Sequence, residues 1–67
     1  MNTDKFSDTI YAKYHTAAEY ARHIGWNKQR LHNILNKSKT PNVEEVKLFM
    51  TTLDLTKDQV IEIFLSE

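Results

Sequence analysis

The chain has no cysteine, and among its 67 residues it has only one glycine and one proline. Without cysteine there is no disulfide framework and no cysteine-based zinc site. The three histidines, His15, His23 and His32, stand apart. None is paired with a second histidine and an acid at a familiar metal spacing. No metal or other cofactor is expected. So few glycines and prolines suit long helices with short joints better than a sheet with several hairpins. No apolar run approaches the roughly 18 residues of a membrane span. The start Met1-Asn2-Thr3-Asp4-Lys5-Phe6 lacks a signal-peptide core. The expectation is a cytoplasmic protein with no membrane partner. A grouped nucleophile, base and orienting acid is also missing, and a core this small leaves little room for a pocket. No enzyme activity is expected.

What remains must fold by apolar packing in one domain, residues 1–67. A domain of this size buries only about 60% of the surface its unfolded chain exposes. The composition, 40% hydrophobic and 27% charged, is ordinary for a globular domain.

Net charge is zero, with nine Lys and Arg against nine Asp and Glu. That sum counts against nucleic-acid binding, but the distribution reverses the argument. From Tyr20 to Val43 there is no acid, while Arg22, Lys28, Arg30, Lys37 and Lys39 all fall there, with His23 and His32. A compact basic segment makes a local field that a whole-chain sum conceals.

Hydrophobic periodicity divides the chain into five expected helices. The first covers about Lys5 to Tyr14, capped by Asp4 or Thr3, with Phe6, Ile10, Tyr11 and Tyr14 on one face. The second follows Thr16, an N-cap with Glu19 placed for a capping box. Its inward face is Ala17, Ala18, Ala21 and Ile24, small enough for close helix approach. Gly25 then suits a left-handed C-cap. The third starts at Asn27 and packs Leu31, Ile34 and Leu35 inward. The fourth, about 42–53, is opened by Pro41 with Asn42 or Thr40 as cap, and carries Val43, Val46, Phe49, Met50 and Leu53 as its buried stripe. The fifth, about 57–66, is capped by Thr56 with Gln59 completing a capping box.

Helices two and three are joined by a minimal turn, Ile24-Gly25-Trp26, so the third can project its N-terminal half outward. Its outward residues are Asn27, Lys28, Gln29, Arg30, His32 and Asn33, none of them acidic. A helix fits the major groove of DNA, where Asn and Gln pair with adenine and Lys and Arg address guanine or phosphate. His32 belongs with the base-reading group on this face. Trp26 is expected as a core or half-buried plug between helices, Tyr11, Tyr14 and Tyr20 as core or boundary aromatics, and His15 and His23 as structural or solvated residues.

The stretch from Thr16 to Asn36 resembles the helix-turn-helix of the phage repressor and Cro class. Tyr20-Ala21 stands in the family's Leu-Ala place, Gly25 at the turn glycine and Trp26 at the hydrophobe after it. Leu31 and Ile34 occupy the core positions of the recognition helix. Thr40-Pro41 and Leu53-Asp54-Leu55 match later positions. The resemblance covers about residues 15 to 65. It implies an all-α, compact, five-helix, lambda-repressor-like domain with a central helix-turn-helix over about 16–36. It places base reading on Lys28, Gln29 and Asn33. It places phosphate contacts at Thr16, at the turn after helix three, and at Lys37 and Lys39, with Asn27 and Arg30 adjoining. The chain departs from the pattern at Ala17, where the family often has Gln, and at Leu35-Asn36-Lys37, where it often has Glu-Asn-Gly. Asn36 is able to adopt a left-handed conformation in place of that Gly.

The run Val60, Ile61, Ile63, Phe64, Leu65 is more apolar than one buried stripe needs. It either closes the core or forms a two-fold dimer surface through Ile61, Phe64 and Leu65. A protein that reads a palindrome needs two copies about one helical turn of DNA apart. The expected function is a sequence-specific regulator binding double-stranded DNA as a homodimer, acting as a repressor. The alternative is a protein-interaction module on the same fold, antitoxin-like or an accessory phage or plasmid factor, with weak or no DNA binding.

Overall fold

In the computed structural model, which describes residues 1–65, each helix begins at a polar side chain that accepts a backbone N–H three residues on. The five helices are α1 (Thr3–Tyr14), α2 (Ala17–Ile24), α3 (Lys28–Leu35), α4 (Val43–Thr52) and α5 (Lys57–Phe64), and there is no strand among the described residues. The caps are Asn2, Thr16, Asn27, Asn42 and Thr56. Each such cap contributes about 1 kcal/mol to a short helix. Residue 66, the expected end of the fifth helix, lies outside the described residues.

Several local expectations are corrected. The helices are short, 8 to 12 residues, rather than long. The first is capped by Asn2, not Thr3 or Asp4, because the Asn2 N–H bonds the Ile63 carbonyl at 2.6 Å and anchors the start of α1 on α5. At Thr16 only half of the capping box forms: Thr16 Oγ1 accepts from the Glu19 N–H at 3.1 Å. The full box appears at Thr56 and Gln59 as expected, and also at Asn42 and Glu45.

The core joins all five helices through Phe6, Ile10, Tyr20, Ala21, Leu31, Ile34, Phe49, Leu53, Leu55 and Ile63. Phe49 is its hub. Its ring lies 4.9 Å from Phe6, 5.4 Å from Trp26, 6.0 Å from Phe64 and 6.2 Å from Tyr20. Fully burying one such ring contributes about 1.5–3 kcal/mol. Trp26 is the half-buried plug expected of it.

Three residues expected on buried faces are exposed. Tyr11 is 50% exposed, because it sits one residue, about 100°, around α1 from buried Ile10. Val43 is 70% exposed and Met50 41%. Phe49 of α4 and Leu53 at its C-cap are buried as expected, but the residue buried with them is Glu45, a spacing of four that carries Val43 to the rim.

Short joints require left-handed backbone. Gly25 takes it as expected, with φ 79 and ψ 19. The others are not glycines: His15 (φ 69), Lys37 (φ 68) and Asp54 (φ 52). Asn36, which is able to adopt that conformation, stays at φ −92. Its side chain is committed to accepting the Ser38 N–H at 3.0 Å, and the reversal falls on Lys37. His15 centres a γ-turn in which the Thr16 N–H bonds the Tyr14 carbonyl at 2.8 Å.

Candidate nucleic-acid interface

Residues Gly25 to Asn27 connect α2 to α3. The Trp26 N–H bonds the Ala21 carbonyl at 2.8 Å, closing the end of α2. Asn27 Oδ1 then accepts the Arg30 N–H at 2.8 Å and starts α3. Leu31 and Ile34 bury one side of α3 in the core. The opposite side is thereby fixed outward.

On that side Lys28, Gln29 and His32 are exposed and line one surface hollow together. Asn33 is half-buried behind them. Gln29 Nε2 donates to Asn33 Oδ1 at 2.9 Å, one turn apart on the helix. The bond orders both amides and leaves Gln29 Oε1 as an acceptor and Asn33 Nδ2 as a donor. Asn27 has its oxygen committed to the helix cap and keeps its amide N–H groups.

A second groove of about 570 Å³ adjoins the hollow and is lined by Tyr11 of α1, Thr16, and Lys28, His32 and Asn36. Among the described residues no carboxylate lines either surface. Tyr11 was not among the expected contacts. Its aromatic character pointed to the core, and only its angular offset from Ile10 signalled otherwise.

Lys37 and Lys39 are exposed and share a separate hollow beyond the end of α3, against Met1 and Thr3. Arg30 lies elsewhere again. Its Nη2 donates to Glu45 Oε2 at 3.0 Å, and its guanidinium carbon sits 3.8 Å from the Trp26 ring centroid. Glu45 is only 6% exposed. The Asn42 N–H and the Arg30 guanidinium hold its carboxyl below the usual range, against the opposing effect of burial. Of the five cations between Tyr20 and Val43, Arg30 alone is in an ion pair among the described residues.

Ile61 of α5 and Leu65 at its C-cap are 49% and 72% exposed, whereas Phe64 is half-buried with its ring 5.4 Å from Phe6. Phe64, Leu65, Val60, Val43, Val46 and Pro41 line an apolar groove of about 370 Å³ between α4 and α5. Among the described residues no group of three or more His, Asp or Glu is placed to hold a metal ion. No helix among them is long and apolar enough to cross a membrane.

No protein-family model, curated protein or solved structure matches the chain.

Proposed function

We propose that the chain is a sequence-specific regulator that binds double-stranded DNA, acting as a repressor and as a homodimer on a palindromic operator. The observation that carries this is the outward side of α3. Lys28, Gln29 and His32 share one hollow, with Asn33 ordered behind them and no carboxylate among the described residues lining it. In this reading α3 enters the major groove. The free acceptor of Gln29 and donor of Asn33 match the N6 amino group and N7 of adenine. Lys28 addresses guanine, and His32 is the fourth base contact. Thr16, Asn27, Lys37 and Lys39 take phosphates, which position the protein without specifying sequence. Kinship with the phage repressor and Cro class belongs to the same proposal, as does the absence of catalysis and of any cofactor. Blocking transcription by occupancy requires neither.

The two-fold partner is assigned to the α5 side, where Ile61 and Leu65 are exposed beside the apolar groove. That groove also favours a second reading, a protein-interaction module with little DNA affinity, and the zero net charge is compatible with it.

Selection of bound fragments from random duplex DNA, with stoichiometry measured on the best site, separates the two. The regulator reading expects a palindrome bound by two chains and an affinity that falls steeply with salt. Alanine at Lys28, Gln29 and Asn33 together is expected to abolish selective binding and leave the fold intact. Unchanged target binding in that triple variant, with a flat salt response, sinks the DNA reading and favours the protein partner.

A further inference from the structure

Arg30 lies on the helix proposed to read DNA, carries a positive charge and is 48% exposed in its side chain. Composition alone would put it on a phosphate. Its surroundings give it a different task. Trp26, in the turn before α3, supplies one face for the guanidinium and packs its own ring 5.4 Å from Phe49 at the centre of the core. Glu45, in the first turn of α4, supplies the other contact. Its two oxygens are divided: Oε1 accepts the Asn42 N–H at 3.0 Å and Oε2 accepts Arg30 Nη2 at 3.0 Å. The capping box of α4 is thus also the anchor of a tie to α3. One side chain links the turn, the reading helix and the helix behind it.

We propose that Arg30 is a positioning residue, held between Trp26 and Glu45 to set the pose of α3, and not a phosphate contact. The assignment rests on the DNA reading above. A guanidinium is suited to this arrangement because it stacks on an aromatic face while donating in its own plane. Withdrawing it would uncover the Trp26 face and leave the buried Glu45 carboxylate with its cap bond alone. Glutamine cannot replace Glu45, since an amide offers one oxygen where two are used.

The test uses the full chain, the duplex that the wild-type protein selects from a random-sequence pool, and a scrambled duplex of equal length. Binding is measured well below the melting temperature of each variant. Arg30→Met, which keeps an apolar stem on Trp26, and Glu45→Gln are each expected to lower the selected-to-scrambled affinity ratio about tenfold. The double variant is expected to lose no more than either alone. The slope of log affinity against log salt is expected to stay unchanged in Arg30→Met. Asn42→Ala removes part of the α4 cap, leaves the tie, and is expected to keep the ratio.

A phosphate-contacting Arg30 predicts the opposite pattern. Arg30→Met would then weaken both duplexes equally and reduce the salt slope by about 1, and Glu45→Gln would free the guanidinium and tighten binding. That result overturns the positioning role and leaves the DNA reading standing. A wild-type chain that selects no duplex overturns the DNA reading, and the positioning role with it.

Discussion

Tyr20 donates its hydroxyl proton to Thr52 Oγ1 across 2.6 Å, because Thr52's own proton is directed to the Leu48 carbonyl at 2.8 Å. Tyr14 adds a bond from its hydroxyl to the Thr52 carbonyl at 3.1 Å. The end of α4 is thereby fastened to α1 and α2 by two tyrosines. Thr52→Val keeps the shape and strands the buried Tyr20 hydroxyl, at an expected cost of about 1–3 kcal/mol. Tyr20→Phe is expected to cost less, about 1 kcal/mol, since Thr52 keeps its own donation. Combined, the two should cost less than their sum. Urea melts of the four proteins measure the coupling.

Burial pushes the Tyr20 phenol up to about 12. The unfolded chain ionises this group near pH 10, so the folded state loses stability as pH rises from about 10 through the folded value. A denaturant midpoint that falls over this alkaline range in wild type, and falls less in Tyr20→Phe, is the expected result.

Glu45 produces the acid counterpart. Its carboxyl is lowered first by the Asn42 N–H and then by Arg30, against burial. A depressed folded value means that the contribution is present above the unfolded glutamate value, about 4.3, and is lost as pH falls through the lower folded value. The stability difference between wild type and Glu45→Gln is therefore expected to shrink on acidification below about pH 4. Thermal melts from pH 7 downward check it.

Lys37 combines two demands in one residue. Its φ of 68 costs a non-glycine roughly 1 kcal/mol, while its ammonium is proposed for a phosphate. Lys37→Gly is expected to raise the melting temperature by about 4–8 °C per kcal/mol gained. The same change should weaken binding to all duplexes and lower the salt slope by about 1. Opposite signs in calorimetry and in binding are the signature.

Tyr11 lines the groove that it shares with Lys28 and His32. Tyr11→Phe should leave stability within about 0.5 kcal/mol, as for an exposed site. Binding to the selected duplex should weaken by roughly threefold to tenfold if the hydroxyl meets phosphate. Gel-shift titration against wild type reads it.

Ile61→Glu and Leu65→Glu test the two-fold partner. Both positions are exposed in the single chain, so its folding should change by no more than about 0.5 kcal/mol. Sedimentation should show dissociation into single chains. A selected palindrome should then bind its two copies without cooperativity.

Caps and spacings made most of the helices legible in advance. Thr16, Asn27, Asn42 and Thr56 announce four starts because Ser, Thr and Asn satisfy orphan N–H groups locally. Gly25 announces one stop, and no described residue lies within 4 Å of a Cβ added there, so its backbone angle explains the residue. Leu31 and Ile34 fix which side of α3 turns inward, and with it which residues stand outward. These are short-range properties, set within a turn or two of helix.

Long-range contacts decided the rest. Asn2 caps α1 because its N–H meets Ile63, a residue at the far end of the chain. Val43 is surface and Glu45 is buried because α4 turns Glu45 toward Arg30 and Phe49 toward Phe6 and Trp26, an angle that periodicity within α4 leaves free. Lys37 and Asp54 turn left-handed without glycine because the core around Ile34, Leu53 and Leu55 fixes where their helices must end. Arg30 is the clearest case. Sequence put a cation on the outward helix, and only the approach of Trp26 and Glu45, a stacking plane and a buried carboxylate, committed that charge to holding the helix in place.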